Sequence, residues 1–298
     1  MAQIKLNWQS KLVLLLVLPF AGADLVIQAH GWAEFYWPVA VSTLGLSLIF
    51  GLVVLKLRAA TPAATFAGAA ITGCLIFSTS AFTPAGIFPY PPWHSALSPL
   101  LAVVCLTVLS TRMGRKRKEL LGTAERRQGR TAAQVAANLG VAAISSSGLA
   151  QSWLIESGWI RAAAYAPAIL LTLPLAALAE AAADTVSSEI GQVLGGQPRM
   201  ITTLRRVEPG TDGGVSLIGT LAGMAAAGIV AAVGAWALGG GATFFWVSTA
   251  GGVLGLFVDS LLGATLERRG WLNNDAVNFL STASAALFAL GVIALRSH

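Results

Sequence analysis

Between Glu180 and Ser216 the chain concentrates residue types that handle divalent metal and phosphate. Glu180, Asp184 and Ser187 or Ser188 recur at helical spacing and so share one face of a helix. Glu189, five positions beyond Asp184, leaves that face unless the glycines at 191, 195 and 196 break the helix; otherwise it is a solvated or helix-end carboxylate. After Pro198 come Arg199, Arg205 and Arg206, then the turn Gly210-Thr211-Asp212-Gly213-Gly214 and Ser216 at the head of another apolar segment. Carboxylate oxygens suit Mg2+, the amides of a glycine turn before a helix hold phosphate oxygens, and guanidinium groups pair bidentately with phosphate. Together these parts describe the binding of a metal and a polyphosphate. The Gly-x-x-x-x-Gly-Lys-Ser/Thr pattern is absent, so the turn is not a P-loop.

Three further groups belong to this chemistry. Arg130, Gln134 and Asn138 stand at i, i+4 and i+8, a polar stripe entering an apolar segment, which either faces a polar cavity or makes interhelical hydrogen bonds. Asp259 lies within an apolar segment, with Gly255 and Gly263 four residues to either side. It reads as functional, with an ion pair to Arg130 or Arg206 as the structural alternative. Trp271-Leu272-Asn273-Asn274-Asp275-Ala276-Val277-Asn278 opens the last apolar segment with more polar groups than a helix cap needs.

The elements that position these residues are membrane helices. Of 298 residues 55% are hydrophobic and 11% charged, and the mean hydropathy is +0.72, beyond what a soluble core can bury. Charge-poor segments at 12–30, 38–55, 63–82, 97–111, 132–154, 160–184, 214–238, 243–265 and 276–295 predict an all-α, polytopic membrane bundle of about nine transmembrane helices. Spans one to three read as scaffold, with Asp24, His30 and Glu34 in an outer loop, and Phe88, Tyr90 and Trp93 read as an interfacial anchor. The net charge of +6 is explained by the placement of the bases, without nucleic acid. With a cytoplasmic N-terminus, Lys5, Lys11, Lys56, Arg58, the eight bases from Arg112 to Arg130 (Arg126, Arg127 and Lys118 among them), Arg199, Arg205, Arg206, Arg268 and Arg269 share one face; only Arg161 and Arg296 fall opposite. Ala21-Gly22-Ala23 after a short leucine run also resembles a secretory cleavage site, but an uncleaved first helix is preferred. Cys74 and Cys105 lack metal-ligand spacing and are assigned no chemistry.

With those residues in view, the chain resembles the phytyl-phosphate kinase family of integral membrane proteins, which includes the eukaryotic transmembrane protein nineteen. The similarity covers roughly residues 57–295. It is most specific at Asp184-Thr185-Val186-Ser187-Ser188-Glu189-Ile190-Gly191, Val207 to Ser216, Asp259-Ser260-Leu261-Leu262-Gly263-Ala264 and Trp271-Leu272-Asn273-Asn274-Asp275. The resemblance implies one integral-membrane domain over 1–298, with less matched helices at 1–56 and a kinase-like core at 57–298. It also implies a role in prenyl-lipid metabolism: CTP-dependent phosphorylation of an isoprenyl monophosphate, phytyl or geranylgeranyl phosphate, to the diphosphate. Asp184, Glu189, Asp259 and Asp275 would hold Mg2+, with Asp184, Glu189 and Asp259 at the reacting centre. Arg205, Arg206, Gly210, Thr211, Asp212, Gly213, Gly214, Ser216, Asn274 and Asn278 would hold the triphosphate, and Arg130, Gln134 and Asn138 the acceptor phosphate. The site would face the cytoplasm from a bacterial inner membrane or its equivalent, and a homo-oligomer is compatible with this reading. The alternatives are a polyprenol or phytol kinase, a lipid cytidylyltransferase, and a transporter of an anionic lipid.

Overall fold

The structure, a computed structural model, describes residues 7–80, 91–123, 129–160 and 167–297. Lys5, Phe88, Tyr90, Arg126, Arg127 and Arg161 lie outside the described residues. Helix α1 runs Asn7–Lys56, α2 Pro62–Ser80, α3 Leu97–Arg112, α4 Arg115–Leu121, α5 Ala132–Ser146, α6 Gly148–Glu156 and α7 Thr172–Leu194. A two-stranded antiparallel ladder follows, β1 (Arg199–Met200) pairing with β2 (Gly214–Val215), with Arg199 opposite Val215. The chain ends with α8 (Leu217–Ala237), α9 (Ala242–Leu262) and α10 (Asn274–Ser297).

Among the described residues six helices are long and apolar enough to cross a membrane, or seven if the bent pair α3 and α4 forms one span, against the nine expected. The discrepancy has local causes. The first two expected spans are one helical segment of 50 residues, about 75 Å if straight, far more than a bilayer core of about 30 Å. It is bent at Tyr36 (φ −158°, ψ 87°), two residues before Pro38, which has no N–H to continue the ladder. Leu25 from the first arm and Ser47 from the second both border Gly73 of α2, so the segment is a hairpin. The expected span 132–154 is divided at Ser147, whose extended backbone caps α6 with its own hydroxyl.

The hairpin also corrects the reading of Asp24 as a loop residue. Asp24 is buried within the first arm, accepting a hydrogen bond from Gln28 Nε2 at 2.6 Å, and Gln28 also donates to Ser78 Oγ. Ala21, in the alternative cleavage sequence, accepts a hydrogen bond from the Cys74 thiol in the same packed arm.

Helix α7 is the centre of the bundle. Of its most apolar window 89% is buried, against 33 to 39% for α8, α9 and α10, whose outer faces are left for lipid. Its run of small residues, Ala176 to Ala183 among them, admits close neighbours. Gly252 of α9 lies so near Ala179 that a Cβ there would stand 2.9 Å from the alanine methyl.

Contacts at the helix ends sort the loops onto two faces. On one, Ser10 meets Asp275, Arg112 meets Leu57, Lys118 meets Glu189, and Gly213 lies against Ala264. On the other, His94 meets Ala237 and Arg296 meets Thr243. The basic segments therefore gather on one side, as their alternation along the sequence requires. In a background lacking Cys74 and Cys105, single cysteines at Thr202 and Thr123 should react with an impermeant thiol reagent only after cells are permeabilised. Cysteines at Trp93 and Gly239 should react in intact cells. Labelling of Thr202 and Trp93 positions from the same side would contradict this arrangement.

Candidate functional site

Two polar cavities adjoin on the basic face. The first lies between α7, the 195–216 segment, the end of α9 and the start of α10; Asp184, Asp212, Asp259, Glu267, Asn274 and Asn278 line it, with the Gly210 to Ser216 turn. The second lies between the start of α5, α7 and α10, and Arg130, Gln134, Asn138, Asp184, Glu189 and Asn278 line it. Asp184, Ser188, Asn274 and Asn278 border both, so one wall serves two compartments. Their volumes, about 250 and 270 Å³, lie just under the roughly 300–1,000 Å³ of small-molecule pockets, which suits one phosphorylated group each.

The acid side is built on α7 and α9. Asp184 and Asp259 meet carboxyl to carboxyl across the two helices, and Glu180, one turn deeper in α7, is close enough to interact with both. Glu180 itself is 1% exposed and lines neither cavity. Buried side-chain oxygens of Glu180 and Asp259, Oε1 and Oδ2, have no hydrogen-bond partner. Such an accumulation of carboxyl groups in a low-dielectric bundle is costly unless protons or a cation neutralise it. Among the described residues no three His, Cys, Asp or Glu side chains are gathered to hold a metal alone. Asp184 and Asp259 nevertheless fit a hard divalent cation that takes its remaining ligands from water and phosphate, the usual habit of Mg2+.

The four carboxylates expected around a metal are therefore not assembled together. Glu189 Oε2 accepts from Lys118 Nζ at 2.6 Å, and Glu189 Oε1 from Thr111 Oγ1 at 3.2 Å. Lys118, read in sequence as one of the bases that mark a single membrane face, is 1% exposed and also donates to the carbonyls of Ser110 and Thr111. The bend at Gly114 (φ 60°) folds α4 back so that this ammonium can reach α7. Asp275 accepts from Ser10 Oγ at 2.6 Å and fastens the start of α10 to α1.

Arg130 is the main cationic group of the second cavity, and its Nη2 donates to Thr185 Oγ1 of α7 at 2.9 Å. Its backbone is held by a parallel bridge to Ala60: Arg130 N–H donates to Ala59 O, and Thr61 N–H to Arg130 O. Gly129 before it has φ +77°, and any Cβ would strike the Ala59 and Ala60 backbone. Gln134 completes a capping box with Thr131, and Asn138 Nδ2 donates to Gln134 O, so these side chains order the start of α5 while lining the cavity.

The glycine turn reaches the first cavity as expected. Gly213 (φ +74°) lies against the Ala264 backbone, leaving no room for a side chain, and Ser216 caps α8 by accepting from Gly219 N–H. Thr211 turns its hydroxyl to Glu208 O. Asp212 stands at the rim; desolvation on its protein side raises its carboxyl above the ordinary range, and Arg268 beside it opposes the shift. Arg205 and Arg206 do not line either cavity: both are exposed, their backbone engaged with Met200 and Arg199.

Sequence reasoning missed Glu267. A π-turn over Gly263–Glu267 continues α9, and its wider winding brings Glu267 back to the Asp259 side and into the first cavity. The signal was the same four-residue step, 259, 263, 267, but Glu267 precedes Arg268 and Arg269 and reads as a boundary charge. Gln192 was also missed; it lines this cavity with a buried Oε1 that has no hydrogen-bond partner.

Residues 45–286 match the family described as integral membrane protein DUF92, and the chain belongs to that family, to which its motifs pointed. It is similar to the uncharacterized membrane protein MJ0933 of Methanocaldococcus jannaschii, 44% identical over 108 residues, covering 36% of this chain and 45% of that one. It is also similar to the uncharacterized membrane protein sll0875 of Synechocystis, 35% identical over 191 residues, 61% of this chain and 67% of that one. Protein VTE6, chloroplastic, of Arabidopsis thaliana is 29% identical over 184 residues, 61% of this chain and 53% of that one. The chain thus spans between about half and two thirds of these relatives. No solved structure matches it with statistical significance.

Lys118→Met should leave the partly buried Glu189 with Thr111 Oγ1 as its remaining hydrogen-bond partner, at a cost of about 1–3 kcal/mol, visible as a lower melting temperature in detergent. The double variant Lys118→Met, Glu189→Gln should recover much of the loss. A wild-type melting curve for Lys118→Met would show that the pair holds nothing.

Proposed function

We propose that the protein is a membrane phosphotransferase that moves the terminal phosphoryl group of a nucleoside triphosphate to an isoprenyl monophosphate at the cytoplasmic face. The observation that carries this reading is the shared wall: Asp184 faces an acid-lined cavity with a glycine turn on one side and the Arg130, Gln134 and Asn138 cavity on the other. A donor and an acceptor that are both phosphorylated need such adjoining compartments, because in-line transfer depends on alignment and charge stabilisation. The membrane setting suits an acceptor with a hydrocarbon tail.

In this reading the triphosphate lies over the Gly210 to Gly214 turn and the capped start of α8, whose N–H groups and dipole favour phosphate oxygens. Asn274 and Asn278 orient it from α10. Arg130 and Asn138 hold the acceptor phosphate, one oxygen of which forms the new bond to the terminal phosphorus. The bond from that phosphorus to the oxygen bridging to the donor breaks, the nucleoside diphosphate leaves with the electron pair, and any acceptor proton passes to solvent or a neighbouring carboxylate. Mg2+, held by Asp184 and Asp259, would supply charge neutralisation on the triphosphate. CTP as donor, and phytyl or geranylgeranyl phosphate as acceptor, rest on the resemblance quoted above. The placement on the cytoplasmic face rests on the basic loops that surround the site.

Purified protein in detergent with Mg2+, each nucleoside triphosphate in turn and a prenyl monophosphate should yield the prenyl diphosphate, with CTP preferred. A cytidylylated lipid with released pyrophosphate, or turnover of the free alcohol only, would replace this assignment with one of its enzymatic neighbours. Asp184→Asn should lower turnover by about a hundredfold or more without changing the melting temperature by a comparable measure. Undiminished turnover in that variant would remove Asp184 from the reacting centre.

A further inference from the structure

A third cavity meets the second one at Arg130, and its character is opposite. It is an apolar slot between the second arm of α1, α2, α3 and α5, bordered by Gly51, Gly68, Val104, Val135 and Leu139. Arg130 is the one charged residue on its lining, and Asn138, which also borders the acceptor cavity, is one of its few polar ones. The space is about 80 Å³, enough for part of one hydrocarbon chain and too small for two. At its aqueous end a basic bowl holds Arg58, Arg112, Arg115 and Arg130 and shares Ala59, Thr107 and Val108 with the slot. The slot therefore joins hydrocarbon-like walls to a cationic mouth, and it shares Arg130 and Asn138 with the acceptor cavity that Asp184 also lines.

We propose that this slot binds the isoprenyl tail of a single-chain lipid phosphate, with Arg130 at its mouth holding the phosphate, and that Gly51 and Gly68 set how much chain can enter. Taking the tail as isoprenyl rests on the phosphotransferase reading; the slot and its mouth do not. Three features select a lone chain with an anionic head: walls without charge apart from Arg130, arginines gathered at one end, and a space of about 80 Å³ that two chains would overfill. Ala59, Ala60 and Arg130 all line the slot, and the backbone bridge between Ala60 and Arg130 ties the arginine's backbone to that wall.

Gly68 is the position to test. A Cβ added there meets only Val135 Cγ1, at 3.7 Å, so Gly68→Ala is accommodated by the fold, and Gly68→Leu, with an unchanged melting temperature as its folding check, carries further carbons into the slot from the same wall. A prenyl monophosphate with a photoreactive group on the isoprene unit nearest the phosphate should label the wild-type protein at Val104, Val135 and Leu139. Unlabelled geranylgeranyl phosphate should compete. In Gly68→Leu the labelling should fall about tenfold, the equivalent of expelling roughly two buried methylenes, and Gly68→Ala should fall between. Labelling spread over lipid-facing positions such as Leu48 and Leu109, labelling unchanged by Gly68→Leu, or equal competition by a diacyl phosphatidic acid would each overturn the slot.

Turnover separates this inference from the one it rests on. Should no triphosphate be consumed with any acceptor while labelling and competition are as stated, the phosphotransferase reading falls and the slot stands. With turnover present, Gly68→Leu should raise KM for geranylgeranyl phosphate about tenfold and leave methyl phosphate, which has no tail to place in the slot, unchanged. An equal rise for both acceptors would overturn the slot and leave the phosphotransferase reading intact.

Discussion

A carboxylate inside a bilayer must have a partner, and α7 carries three within ten residues: Glu180, Asp184 and Glu189. The rest of the bundle partners two of them and leaves Oε1 of the third, Glu180, without a hydrogen bond. Glu189 is paired with Lys118, which the bend at Gly114 brings out of a basic loop and into the protein. Asp184 faces Arg130 on one side and Asp259 on the other. Glu180 lies deepest, against Gly255 of α9, where the absence of a side chain leaves space for it. Of the three, Asp184 opens to both polar cavities, which is why it can be both costly to the fold and useful at a site.

Arg130 performs the complementary task. It stands where the polar acceptor cavity, the arginine bowl and the apolar slot come together. Its position is set by backbone contacts of Ala59, Ala60 and Thr61 with Gly129 and Arg130, not by side-chain packing alone. A positive charge fixed at the junction of water and hydrocarbon is suited to a ligand divided the same way, with an anionic head and an apolar tail. The scaffold helices α1, α2 and α3, which carry little chemistry of their own, supply the slot's apolar walls, and so join the candidate site through packing.

Several residues reached the site for reasons already visible in the chain. Asp184, Asp259, the Gly210 to Ser216 turn, Asn274, Asn278, Arg130, Gln134 and Asn138 all border the two polar cavities. They were legible because polar groups in apolar segments are expensive and helical spacing shows which of them share a face. Lys118 and Glu267 were not legible. Each sits beside other charges in sequence, and only a change in helix path, a 66° bend for one and a π-turn for the other, takes it out of that charged neighbourhood. Arg205 and Arg206 erred in the opposite direction: close to the glycine turn along the chain, they are turned outward by the β1 and β2 ladder.

By itself the sequence determined the environment of this protein and the gathering of its bases on one face. Hydropathy requires a membrane bundle, and bases on alternate loops require one basic face, because both follow from transfer energies that act residue by residue. Tertiary structure alone decided how many separate helices carry the crossings, which carboxylates are partnered, and that an apolar slot meets the polar site at Arg130. Those outcomes depend on where a backbone can bend and on which side chains from distant segments then meet. Tyr36, Gly114, Ser147 and the Gly263 to Glu267 turn set those paths, and no property of a single residue encodes their combined result.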